Sequence, residues 1–207
     1  MNKKEELEKL KAEMAGDRAL PLTANLVFGE GDPDCTVLFI GEAPGRVEDE
    51  MVRPFVGRSG QLLRRNIRDA GWKEEEVYIT NIVKRRPPDN RDPLPEEIEA
   101  YKPYLMRQIG IINPKVIVPL GRFSMNYFLP EAKITRDQGK VFRSSKYLIV
   151  PMFHPAVALR NPEYMKEFQN NFKKLPRIAT QAEKLLAEHK SKSGPGSVYK
   201  SEQNKLF

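Results

Sequence analysis

The sequence predicts a three-layer α/β/α fold around a central, mainly parallel four-stranded sheet. Two observations carry this. Four short apolar runs punctuate the chain, and connections of crossover length separate the first three. Length sets the bound: 207 residues are enough for one sizeable core. Residues 1–190 are expected to form a single domain, and 191–207 a flexible tail.

Each element has its own signal. Residues 3–14 alternate Lys and Glu around Leu7, Leu10 and Met14, the spacing of an amphipathic helix. Val37, Leu38, Phe39 and Ile40 form the first strand, which runs into the turn Gly41-Glu42-Ala43-Pro44-Gly45. The chain then stays polar through Arg53-Pro54-Phe55-Val56-Gly57. Ser59 is expected to cap a helix over 60–70, with Leu62, Leu63 and Ile67 on one face and Gly71 as its stop. A second strand spans 77–81, followed by a basic, proline-broken loop over 84–91. Pro95, Glu96 and Glu97 open a helix, with proline and acids where a first turn favours them. A third strand covers 115–121 and a short helix follows. A hairpin around Ser144 and Ser145 joins 140–142 to 147–150. The last helix, over 162–190, is interrupted at Pro176.

Composition narrows the function classes. The formal charge is +7, from 35 Lys+Arg against 28 Asp+Glu, which favours an anionic partner, nucleic acid first. No apolar run approaches the roughly 18 residues that span a bilayer. The charged N-terminus lacks a signal-peptide core, so a cytoplasmic protein is expected. Cys35 stands alone, and His154 and His189 are far apart in sequence. Neither a disulfide nor a Cys-rich metal site is expected from that inventory.

Three predicted strands end in conspicuous polar residues: Glu42, Asn81 and His154. In open α/β sheets ligands bind at the carboxyl edge of the strands. If the strands are parallel neighbours, the three side chains gather there. No Gly-Lys-Ser/Thr follows the Gly-Pro turn, which disfavours a nucleotide-binding hydrolase.

Four blocks then occur in a telling order: Gly41-Glu42-Ala43-Pro44-Gly45, Arg53-Pro54-Phe55-Val56-Gly57, Thr80-Asn81-Ile82-Val83-Lys84 and His154-Pro155-Ala156. In order and spacing they resemble the family-4 (thermostable type) uracil-DNA glycosylases, over residues 26–175. The resemblance implies a DNA-repair enzyme that flips uracil out of DNA, hydrolyses its N-glycosidic bond and leaves an abasic site. A non-catalytic module that binds uracil-DNA or single-stranded DNA is the alternative.

The resemblance also implies roles. Phe55 is the stacking platform and Asn81 reads the uracil edge, accepting from N3–H and donating to O4. His154 donates to O2 and stabilises the departing anion. Gly41 and Ala43 complete the uracil pocket. Ala43 stands where the best-known uracil glycosylases carry an aspartate. Glu42 is therefore the first choice for positioning the attacking water. Glu48 is the second, or else it excludes thymine's methyl group at the C5 edge. Pro44, Gly45, Arg58, Ser59, Lys84, Arg86, Pro155 and Arg160 are expected to grip DNA.

The chain departs from the family at one feature. Members hold a four-cysteine iron–sulfur cluster, and the corresponding positions here fall at or near Ala15, Arg18, Arg85 and Tyr101. A protein without a cluster is expected, with Arg18 or Arg85 stacked on the Tyr101 ring in its place. Finally, Gln203, Leu206 and Phe207 form a Gln-x-x-Leu-Phe ending that resembles peptides docking on sliding clamps. The remaining expectation is a monomer that binds uracil-containing DNA and no membrane.

Overall fold

The computed structural model describes residues 2–190. The expected tail and its clamp-like ending lie outside the described residues. Six strands form one sheet: β1 (Glu30–Gly31), β2 (Val37–Gly41), β3 (Tyr78–Asn81), β4 (Val116–Pro119), β5 (Phe142–Arg143) and β6 (Leu148–Ile149), in the order β1-β3-β2-β4-β6-β5. The inner four pair in parallel, as the sequence predicts. Two antiparallel edge strands of two residues each complete the sheet, and β5 with β6 is the expected hairpin.

Every residue of β2 is buried, because both faces of the sheet are covered. Alternate side chains point to opposite faces. Val37 and Phe39 pack with Leu63 and Ile67 of α3 (Arg58–Asp69), Phe168 and Phe172 of α8 (Pro162–Phe172), and Ile178 of α9 (Leu175–Lys190). Leu38 and Ile40 pack with Leu10 and Met14 of α1 (Lys3–Gly16), Leu105 and Ile109 of α4 (Pro95–Ile112), and Met125 of α5 (Arg122–Phe128). These are the three layers. No helix among the described residues is long and apolar enough to cross a membrane.

Several boundaries move for identifiable reasons. α3 begins before Ser59. Gly57 is its N-cap without any side-chain cap bond, so Ser59 sits within the first turn instead of capping it. The helix α2 (Arg46–Met51) occupies a stretch expected to be merely polar; six residues are too few to show a period. Two more short helices, α6 (Ile134–Asp137) and α7 (Pro155–Ala158), complete the set. The last helix breaks at 173–174, so Pro176 falls in the first turn of α9, where its missing N–H costs no bond.

The largest correction concerns Lys84, expected at the DNA surface. It is wholly buried. Its Nζ donates to Gln108 Oε1 at 2.6 Å and to Thr80 Oγ1, while Thr80 Oγ1 and Gln108 Nε2 both donate to Phe28 O, at 2.8 and 3.1 Å. The lysine therefore ties β3 to α4 and to the strand-leading segment at Phe28, and burial pushes its pKa well below the ordinary 10.5.

That shift has a sign. Between the depressed folded value and 10.5 the unfolded chain holds a proton on Lys84 that the folded chain lacks, so stability rises with pH across this window. In urea unfolding, wild type should gain on the Lys84→Met variant as pH rises toward 10.5, at up to about 1.4 kcal/mol per pH unit. Taking the difference between the two proteins cancels the other titrating groups. A pH-independent difference would show that the buried amine keeps its proton.

Candidate active site

Parallel register sets the level at which the site forms. Gly41 pairs with Asn81, Ile40 with Pro119, and Leu120 bridges Met152 two residues before His154. The strands thus end together, and a cavity of about 370 Å³ opens over their carboxyl ends. Glu42, Asn81 and His154 all line it, as the sequence predicts.

Phe55 forms one wall. It is buried and adopts a left-handed backbone, φ +53°. Its ring packs over Gly41: a Cβ there would lie 2.4 Å from Phe55 Cζ and 2.3 Å from Asn81 Oδ1. Only a residue without a side chain lets the Phe55 ring and the Asn81 carboxamide close on each other. Asn81 is 2% exposed, and its Oδ1 has no hydrogen-bond partner among the described residues. A buried acceptor left without a donor is costly. This one lines a cavity, where a ligand N–H can reach it.

His154 is the N-cap of α7. Its Nδ1 accepts from Ala156 N at 3.2 Å, so the ring proton of the neutral imidazole resides on Nε2. Burial pushes its pKa down to about 4, which keeps the ring uncharged at neutral pH. The ring lies 5.9 Å from that of Phe55, centroid to centroid.

The two acids differ. Burial raises Glu42 to about 7, the negative charge of Asp92 adds to the rise, and Arg122 opposes it. Glu48 is instead anchored by backbone N–H groups. Its Oε1 accepts from Val56 N at 3.0 Å and Gly57 N at 2.7 Å, pinning the loop that carries Phe55. Glu48 also lines the cavity.

The other expected residues divide. Ala43, Pro44, Gly45 and Ser59 line the cavity. Arg58 and Arg160 are exposed near it in sequence, at the start of α3 and just after α7, whereas Pro155 is buried in the first turn of α7. Arg86 donates to Asn90 Oδ1 at 2.7 Å. Pro87, Asn90 and Arg91 line the cavity too, although sequence reasoning missed them. Asp89 and Asn90 are consecutive left-handed residues, and Arg91 is held by a two-bond pair with Glu97, at 2.8 and 2.6 Å. Pro-Pro-Asp-Asn marks a turn, but not which way the turn folds.

The family model of the uracil DNA glycosylase superfamily matches residues 28–176. A type-4 uracil-DNA glycosylase of Sulfurisphaera tokodaii is 43% identical over 186 residues, covering 84% of each chain. One from Archaeoglobus fulgidus is 40% identical over 174 residues, 80% of this chain and 87% of the relative. One from Thermotoga maritima is 46% identical over 140 residues, 66% and 73%. The chain belongs to the type-4 uracil-DNA glycosylase family.

The cluster that this family implies does not fit the residues present. Ala15, Arg18, Arg85 and Tyr101 offer no thiolate, and the one cysteine, Cys35, is buried elsewhere with its thiol pushed up to about 12. The expected stacking is also corrected. Among the described residues no cation stacks on the buried Tyr101 ring; Arg85 lies beside its hydroxyl, which donates to Pro21 O at 2.8 Å. Arg85 itself donates to Ala24 O. Arg18 is exposed.

The bare Gly41 gives a direct structural test. Gly41→Ala should displace the Phe55 ring or the Asn81 carboxamide in a crystal structure of the variant. An unmoved pair would show that the glycine is dispensable to the wall.

Proposed function

We propose that this family member is a monofunctional uracil-DNA glycosylase of DNA repair, hydrolysing the bond between uracil and deoxyribose and leaving an abasic site. The observation that carries the reading is the buried, unpartnered Oδ1 of Asn81 beside the Phe55 ring. Uracil presents N3–H to that oxygen and O4 to the amide N–H₂, whereas cytosine presents an acceptor and a donor the other way round. A dry pocket turns such a mismatch into discrimination of about 10⁴-fold or more. Phe55 stacks on the flipped base.

Bond cleavage leaves negative charge on the base. The Nε2–H of a neutral His154 donates to O2 and stabilises that anion. Glu42 as a carboxylate orients and deprotonates the attacking water. Ala43 has no acid to offer, and Glu48 already binds two backbone amides. Glu48 then serves the site by holding the platform loop and by bordering the C5 edge. Arg58, Ser59, Pro44, Gly45, Arg86 and Arg160 meet phosphates, and Gly41 and Ala43 border the base.

The reading extends to a cytoplasmic monomer that works without an iron–sulfur cluster, because the four positions lack thiolates. A sliding clamp engaged through Gln203, Leu206 and Phe207 is its finer partner.

Release of uracil from single- and double-stranded oligonucleotides tests the core claim. Asn81→Ala and His154→Ala should each slow release by about 10²-fold or more. DNA binding without release in wild type would favour the non-catalytic module. The pH profile tests Glu42 separately. Its carboxylate is the active form, so the single-turnover rate should fall about tenfold per unit well below pH 7. His154 adds no limb above about pH 4. The limb should vanish in Glu42→Gln; its persistence would move the base elsewhere.

A further inference from the structure

A buried cation outside the cavity holds the platform from behind. Arg64 is 8% exposed on the inner face of α3. Its Nε donates to Phe55 O at 2.7 Å and its Nη2 to Pro54 O at 2.7 Å. The outer edge of the guanidinium is fixed by two carboxylates: Nη1 donates to Glu74 at 2.6 Å, and Nη2 pairs with Glu30. Glu30 is itself gripped by Arg53 at 2.8 and 2.9 Å, and Glu74 by Arg68.

We propose that Arg64 is a positioning residue for uracil recognition, setting the angle of the Phe55 ring by clamping the peptide unit that follows it. The inference rests on the reading of Phe55 as the stacking platform. The peptide between Phe55 and Val56 has one polar group at each end, and both are taken by charged side chains. Its carbonyl accepts from Arg64, and its N–H donates to Glu48. Fixing both ends fixes the plane of the peptide. That plane belongs to a residue at φ +53°, a conformation a bulky side chain adopts only when its surroundings impose it. Gly60 completes the imposition: a Cβ there would lie 2.0 Å from Phe55 C, so the first turn of α3 abuts the same carbonyl.

The chemistry requires arginine. Two carbonyls and two carboxylates lie around one planar group, which a forked guanidinium satisfies and a single ammonium does not. A rigid wall matters because small misplacements of a reacting partner cost rate steeply.

The test uses the full-length protein as wild type, Arg64→Lys, Arg64→Met, Phe55→Ala and the double variant Phe55→Ala/Arg64→Met. Three quantities are read: single-turnover release, inhibition by free uracil, and affinity for a duplex bearing an abasic site. Arg64→Met should weaken uracil inhibition and slow release by about tenfold or more, with abasic-duplex affinity held within about twofold, because Phe55 touches only the base. Arg64→Lys keeps a cation between Glu30 and Glu74, protecting the fold, and should show the same selective loss. In the Phe55→Ala background Arg64→Met should add almost nothing, since residues acting through one contact are not additive.

Additive losses, or equal losses for uracil and abasic duplex, would make Arg64 a general scaffold residue and overturn the proposal alone. Phe55→Ala with unchanged uracil inhibition would reject the platform reading and this inference with it.

Discussion

Everything at the site depends on the missing side chain of Gly41. Parallel pairing of β2 with β3 sets Gly41 opposite Asn81 at the sheet edge. Above that point the Phe55 ring and the Asn81 oxygen come within 2.4 and 2.3 Å of where a Cβ would be. A methyl group would therefore separate an aromatic face from the polar edge that works beside it. The sheet supplies the level, and the glycine supplies the closeness. Neither alone brings an aromatic ring and a buried amide oxygen together over one residue.

The surrounding charges show how environment divides labour among similar groups. Glu42 and Glu48 lie six positions apart and line one cavity. Glu42 is buried near a second negative charge and rises to about 7, so it stands ready to exchange a proton. Glu48 is held by two backbone N–H groups that reach it from the loop carrying Phe55. His154, with its pKa pushed down by burial, stays neutral at neutral pH and keeps its proton on the nitrogen that Ala156 leaves free. Three polar groups that line one cavity thus sit in three different environments.

The strands, their order of burial and the convergence of Glu42, Asn81 and His154 were legible because buried parallel strands read as continuous apolar runs. The loop over 84–91 was not. Lys84, Arg85 and Arg86 look like one basic patch, yet they go three ways: into the core, to the Ala24 carbonyl and to Asn90. An irregular segment has no period to say which side of it faces water. Arg64 is different, because its signal was present. Gly60, Leu63, Arg64 and Ile67 share the spacing of one buried helix face. A charge on that face implies partners waiting for it.

The same logic distributes stability across the molecule. On the α1 and α4 side, where relatives are expected to carry a cluster, the described contacts are dispersed. Tyr101 bonds Pro21 O, Tyr104 bonds Asp17 at 2.6 Å, and Arg107 pairs with Glu13 at 2.6 and 2.7 Å over a core that includes Leu10 and Met14. Exposed pairs of this kind contribute little, so apolar burial holds that side. On the β1 and α3 side the pattern inverts: Arg64, Glu30, Glu74 and Glu48 place charged hydrogen bonds around the backbone at Phe55. Buried ion pairs are poor stabilisers compared with a well-packed apolar core, but they fix direction. Non-directional packing sits where the fold needs only to cohere. Directional bonds gather around the backbone of Phe55.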